Sequence, residues 1–154
     1  MHMIRVSAIA LLIASCASGA MAAPPPTDWS GFYAGVLGGK WNEPYFDVQG
    51  VAGMNFMPSE MFLLGIEGSV GGYFPTGGGS FTPTATISGR AGVVFGPAAI
   101  FATIGGWTNG SNFAPFAGGG VEFMATDNLS FRAQATVLDG SDYLVSAGLF
   151  WHMH

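Results

Sequence analysis

The sequence predicts an all-β fold: an eight-stranded antiparallel up-and-down β-barrel of the transmembrane kind, preceded by a cleavable signal peptide. Three observations carry this. Charged residues make up only 8% of the 154-residue chain against 49% apolar residues, where an average soluble domain is roughly a quarter charged. No window of about 18 consecutive apolar residues follows the first 25 positions, so spanning helices are not available. Several segments alternate strictly between apolar and polar residues, the period of a strand with one greasy face.

The elements follow in order. Met1–Arg5 is a short basic n-region, Val6–Ala14 an apolar core, and Ala20–Ala22 a small-x-small cleavage site, so residues 1–22 read as a signal peptide. A competing pattern, Ile13–Cys16, matches the run before a lipid-modified cysteine; Cys16 is the only cysteine, and cleavage before Ala23 leaves none for a disulfide. Residues 23–28 form a Pro-rich linker that cannot enter a central strand. Residues 29–154 then divide into eight segments: Ser30–Trp41, Tyr45–Met57, Met61–Tyr73, Pro83–Phe95, Ala98–Trp107, Ala114–Ala125, Leu129–Leu138 and Tyr143–Met153.

The breaks between segments alternate in character. Met57–Glu60, Gly96–Pro97 and Thr126–Asn128 are minimal turns, whereas Phe74–Thr82, Thr108–Phe113 and Asp139–Asp142 are mostly longer and rich in Gly, Ser and Asn. Short turns at one rim, longer loops at the other and an even strand count are the pattern of an outer-membrane barrel. The sheet must close, because hydrocarbon leaves no partner for an unpaired edge.

Alternation is clean in four segments. Phe46, Val48, Met54 and Phe56 oppose Asp47, Gln49 and Asn55. Phe62, Leu64, Ile66 and Val70 oppose Glu67 and Ser69. Ile87, Ala91, Val93 and Phe95 oppose Thr84, Thr86, Ser88 and Arg90. Leu129, Phe131, Ala133 and Val137 oppose Ser130, Arg132, Gln134 and Thr136. Residues 30–41 and 98–107 alternate less clearly, and their facing stays open. Tyr33 and Trp41 lie eight residues apart on one face, as do Tyr143 and Trp151. At a tilt of about 40° that spacing rises roughly 20 Å, which assigns all four to the aromatic girdles of a membrane barrel.

Asp28–Trp41 (DWSGFYAGVLGGKW), Phe62–Tyr73 (FLLGIEGSVGGY) and Gly118–Gly140 (GGGVEFMATDNLSFRAQATVLDG) resemble the first strand, third strand and sixth-to-seventh hairpin of the alphaproteobacterial outer membrane immunogenic proteins, within the wider opacity-like group of small porin-like barrels. The resemblance covers most of the chain after the signal peptide. It implies a Gram-negative outer-membrane location, barrel-assembly machinery and periplasmic chaperones as partners, and a surface-antigen role. Ser146, Gly148, Trp151 and Met153 resemble the C-terminal assembly signal, with His154 added beyond it. The loop after the first strand, Asn42–Pro44, is shorter than is usual in the family.

Two charged pairs define the candidate site. A turn centred on Asp127 places Glu122 opposite Arg132, and a loop centred on Gly78 and Gly79 places Glu67 opposite Arg90. An Arg on the lipid face would cost about 2–4 kcal/mol at mid-membrane. Inside a barrel of eight strands, just wide enough for side chains to fill, an Arg–carboxylate pair is well matched. The expectation is a polar lumen plugged by Glu67, Arg90, Glu122 and Arg132.

Other chemistry is sparse. His152 and His154, spaced for one strand face, read as a frayed terminal pair without carboxylate support, so no metal and no cofactor is expected. With those the only histidines past the signal peptide, no Ser/Thr–His–acid triad is expected and the chain does not read as an enzyme. Three remaining cations, Lys40, Arg90 and Arg132, argue against nucleic acid. The expected role is a structural outer-membrane barrel, monomeric and embedded in lipid, that supports envelope integrity and surface exposure. A narrow ion channel is the alternative, with a haem-binding or adhesin barrel behind it.

Overall fold

The computed structural model describes residues 27–138 and 141–154. The signal peptide, Cys16 and most of the Pro-rich linker therefore lie outside the described residues, as do Asp139 and Gly140. Eight strands follow: β1 Gly31–Trp41, β2 Tyr45–Phe56, β3 Phe62–Pro75, β4 Thr82–Phe95, β5 Ala98–Thr108, β6 Phe113–Met124, β7 Leu129–Leu138 and β8 Asp142–Met153. All neighbours are antiparallel and β1 pairs with β8, so the sheet is a closed barrel without an edge.

The register fixes the barrel's dimensions. Stepping across the pairs Gly31–Asn55, Asn55–Gly65, Gly65–Arg90, Arg90–Thr103, Thr103–Gly118, Gly118–Thr136, Thr136–Leu144 and Leu144–Trp41 returns to β1 ten residues beyond the start. Eight strands with that stagger, a rise of about 3.3 Å per residue and a spacing of about 4.8 Å give a tilt of about 40° and a radius of about 8 Å. The interior is therefore a column of packed side chains.

The faces follow strand parity. Outward positions include Val36, Val48, Ile66, Ile87, Ile104, Phe123, Phe131 and Leu149, each more than 40% exposed. A continuous apolar surface of that kind has no place on a monomer in water and is what a bilayer core requires. Among the described strand residues, Lys40 is the one formal charge on the outward face, next to the loop rim. β1 and β5, whose facing the sequence left open, turn Phe32, Val36 and Ile104 outward and Tyr33, Leu37, Phe101 and Thr103 inward.

Two sequence expectations need correction. Tyr33 and Trp41 are not girdle residues: Tyr33 is 1% exposed inside the barrel, and Trp41 turns inward to donate its Nε1–H to Asp47 Oδ2 at 3.3 Å. Both carry a polar tip that finds a partner in the lumen. Outward aromatics are instead mostly Phe: Phe46, Phe74 and Phe113 towards the loop rim with Tyr143, and Phe56, Phe62, Phe95, Phe123 and Phe131 towards the turn rim with Trp151. Phe46 and Phe56 are ten residues apart on β2, about 25 Å of rise at this tilt, the height of a membrane barrel's apolar band.

The second correction concerns register. Glu67 lies opposite Ser88, and Arg90 opposite Gly65. The last β3–β4 pair is Tyr73–Thr82, so the hairpin centres one residue earlier than its glycines suggest and every pair shifts by two. A shift of two preserves facing, which keeps Glu67 and Arg90 inside. Gly65 also accommodates Arg90, since a Cβ there would sit 3.0 Å from Arg90 Cγ.

The turn rim is corked. Trp29, Leu63, Val94, Ala99 and Met124 form a buried cluster with Met57 packed against it. Trp29 enters from the chain segment before β1, donates Nε1–H to Gly96 O at 3.1 Å, and accepts at its own carbonyl from Asn55 Nδ2 at 3.1 Å. Replacing this fully buried ring opens the cork on three sides. We expect Trp29→Ala to lower unfolding stability by about 3–5 kcal/mol, measured by urea titration of the protein refolded in lipid vesicles, with the barrel's β signal retained before the transition.

Candidate functional site

Above the cork, six strands converge on one layer of polar side chains. Strand β3 supplies Glu67, β4 Arg90, β6 Glu122, β7 Ser130 and Arg132, β8 His152, and β1 adds Tyr33. Parity places each inward, and Glu122 pairs directly across from Arg132 in the register the sequence anticipated. The four sequence-identified charges meet in this single cluster.

Glu122 is its hub. Its Oε2 accepts from Arg132 Nε at 3.0 Å and from Arg90 Nη2 at 3.1 Å. Glu67 Oε2 takes the second arm of Arg132, Nη1, at 2.7 Å, and lies 3.6 Å from Arg90 Nη1. Tyr33 Oη donates to the same Glu67 oxygen. Each arginine therefore bridges both glutamates, and two positive and two negative charges cancel. The guanidinium planes find further support in aromatic faces, Arg132 at 3.8 Å from the centre of the Phe150 ring and Arg90 at 4.2 Å from that of Phe101. Arg90 Nε and Arg132 Nη2 are buried without a hydrogen-bond acceptor.

Close packing depends on a glycine. A Cβ at Gly53 would collide with the Tyr33 hydroxyl, so only glycine lets the phenol lie across β2 and reach Glu67. The remaining oxygen of Glu122, Oε1, accepts from Ser130 Oγ at 2.7 Å and contacts His152 Nε2 at 3.1 Å.

His152 overturns the reading of a frayed terminal pair. It is 1% exposed, carboxylate-supported, and packed edge-on against Trp29 with ring centres 5.7 Å apart. His154 alone of the pair is exposed; it meets Asp127 O at 2.9 Å. The neighbours of His152 Nε2 decide whether that nitrogen carries a hydrogen. Ser130 Oγ has one hydrogen and gives it to Glu122, and a carboxylate only accepts, so Nε2 carries the proton. A protonated Nε2 cannot act as base for Ser130, and the Ser130–His152–Glu122 cluster lacks the geometry of a relay, in which serine and acid address different ring nitrogens. Among the described residues, no group of three or more His, Cys, Asp or Glu side chains is arranged to hold a metal ion.

The other sequence-identified residues separate. Tyr143 and Trp151 face outward at opposite ends of β8, 44% and 55% exposed. Of the assembly-signal positions, Ser146 and Gly148 point inward while Trp151 and Met153 point outward, with Met153 pairing Phe32 across the β1–β8 seam. Tyr33, Ser130 and His152 were the network members not anticipated. The inward parity of two was available, since Ser130 shares it with Arg132 and His152 with Ser146, whereas Tyr33 lies on β1, where alternation gives no facing.

Above the ion layer the lumen changes character. A cavity of about 60 Å³, room for a few waters, is bordered by Gln49, Ser69, Thr86, Ser88, Thr136 and Ser146 among others. Gln49 Nε2 donates to Thr84 Oγ1 at 2.8 Å, and Ser69 and Thr86 hydroxyls are 2.6 Å apart. At the loop rim the lumen widens to a vestibule of about 440 Å³.

No family model matches the chain, and no curated protein matches it. Solved structures do. One from the work "De novo design of transmembrane beta-barrels" aligns with a TM-score of 0.55 at 19% identity, covering 79% of this chain and 94% of that one. The solution NMR structure of the de novo designed TMB2.3 aligns with a TM-score of 0.56 at 15% identity, covering 81% and 95%. At such identities the likeness is one of fold, that of an eight-stranded membrane-type barrel.

The hub geometry has a measurable signature. Arg132→Met leaves Arg90 as the one cation for two carboxylates and should cost about 3–5 kcal/mol. Glu122→Gln should cost a similar amount, and the double variant less than the sum by about 1–3 kcal/mol. Urea unfolding of the four proteins in vesicles closes the cycle; strict additivity would show that the pair is not coupled.

Proposed function

We propose that this chain is a structural outer-membrane β-barrel of the small alphaproteobacterial, opacity-like group, exported by its N-terminal signal peptide. In this reading it is monomeric in the lipid of a Gram-negative envelope, inserted with the help of periplasmic chaperones and the barrel-assembly machinery. Ser146, Gly148, Trp151 and Met153 act as its assembly signal. Its task is mechanical and antigenic, holding the envelope together and presenting short loops, with no catalytic role.

The observation that carries this reading is the occluded lumen. The ion layer is buried, with Glu122 1%, Arg132 2% and Arg90 4% exposed, and the Trp29 cork closes the turn rim beneath it. An ion crossing the barrel would have to displace both. The alternative, a narrow channel gated by exchange of partners within the network, draws support from the polar cavity and open vestibule above. It needs a path past Trp29, Leu63 and Val94 as well as past the charges.

Electrical recording separates the two. The refolded protein in a planar bilayer should show no single-channel steps, and Glu67→Gln should leave the baseline unchanged. Steps in the native protein that alter with Glu67→Gln would replace the structural reading with the gated channel. Unboiled samples should also run faster on a denaturing gel than boiled ones, as a closed barrel resists detergent.

A further inference from the structure

The vestibule at the loop rim is built unlike the rest of the lumen. Four aromatic side chains from four strands turn into it: Trp41 (β1), Tyr45 (β2), Tyr73 (β3) and Trp107 (β5). Tyr45 and Tyr73 are set edge to face with ring centres 5.2 Å apart. Glu43 and Asp142 share its wall. Just below, buried Asp47 accepts the Trp41 indole N–H, adding negative charge behind that ring. No Lys or Arg borders the vestibule among the described residues. Lys40 faces outward, and Arg90, on the floor of the narrower cavity, is already matched by Glu67 and Glu122.

Ring faces carry negative quadrupolar charge, and rings gathered with carboxylates attract a cation that sheds its water easily. Alkylated ammonium ions do so; small metal cations do not. The volume, about 440 Å³, lies in the range of small-molecule sites. The cavity below the vestibule is too small to admit such an ion, which makes this a binding site and not a transport route.

We infer that the loop-rim vestibule binds small alkylammonium ions, with choline as a representative, through the Trp41, Tyr45, Tyr73 and Trp107 rings and the Glu43 and Asp142 carboxylates. The assignment does not depend on the structural or channel reading of the barrel.

The test uses the whole refolded protein in nanodiscs of phosphatidylglycerol, free of choline headgroups. Titration with choline chloride should give saturable shifts of the Trp41 and Trp107 indole N–H resonances, with Trp29 and Trp151 unmoved. The uncharged carbon isostere 3,3-dimethylbutan-1-ol should bind at least about tenfold more weakly, the ratio expected of a cation–π cage. Glu43→Gln, in an exposed turn outside the barrel wall, should weaken choline binding severalfold without altering the rest of the spectrum, and Trp107→Leu should abolish it. Discs containing phosphatidylcholine distinguish a lipid headgroup from a free ion as the source, since a headgroup ligand shifts the same resonances before choline is added. Equal shifts with the isostere, shifts with glucose alone, or no shift at about 50 mM choline, a millimolar-scale limit, would each overturn the assignment.

Discussion

A closed sheet of eight strands staggered by ten residues leaves an interior about 8 Å in radius, and the rest of the molecule is a response to that constraint. Closure removes every unpaired backbone group from the barrel wall, which is the condition for sitting in hydrocarbon. It also obliges each inward residue to share a narrow column with inward residues of the seven other strands. Glycine is common inside for this reason. Gly53 and Gly65 are empty places over which Tyr33 and Arg90 extend. Large inward side chains and missing ones are two halves of one packing solution.

Along its axis the column is graded. An apolar cork at the turn rim gives way to a charge-compensated layer, then to hydroxyls and amides around a small cavity, then to an aromatic, acidic vestibule. The gradient sorts aromatic residues by their polar tips. Most Phe side chains, with none, go to the outward face at both rims, while Phe101 and Phe150 stay inside against the arginines. Tyr33 and Trp41 go inside, where Glu67 and Asp47 accept from them, and Tyr143 and Trp151 stay outside near the two rims. The ion layer gains from its place beneath the cavity and above the cork. It is dry enough for the charges to interact strongly and has enough partners that few are orphaned.

Much of this was legible in the sequence because one physical rule dominates a strand that separates lipid from lumen. β2, β3, β4 and β7 alternate cleanly, and no strand boundary moved by more than two residues between sequence and structure. β1 and β5 were opaque because their inward faces, Tyr33–Gly35–Leu37–Gly39–Trp41 and Ala99–Phe101–Thr103–Gly105–Trp107, are mostly apolar themselves. They line the lumen with the rings against which the arginines stack, so both faces look greasy. The Glu67–Arg90 register lies two residues off the symmetric one because the loop glycines do not mark the hairpin's centre: the last β3–β4 pair is Tyr73–Thr82. Tight turns are safer guides, as Asp127 was for Glu122 and Arg132. His152 was misjudged because position near a terminus outweighed parity, although pairing of β8 with β1 holds that end firmly.

The placement of the charges has a consequence for how such a wall could be threaded into a bilayer. Glu67 and Arg90 belong to one hairpin, β3–β4, and Glu122 and Arg132 to another, β6–β7. The strands of β1–β2 likewise carry one charge of each sign, Lys40 and Asp47. Each of these hairpins therefore sums to zero along its spanning length. A lone charge at mid-bilayer costs several kcal/mol, but a hairpin holding both signs crosses as an electrically neutral unit. In the closed barrel the four charges pair across hairpins as well as within them, Arg90 with Glu122 and Arg132 with Glu67, so the neutrality of each hairpin is carried over into the neutrality of the whole layer.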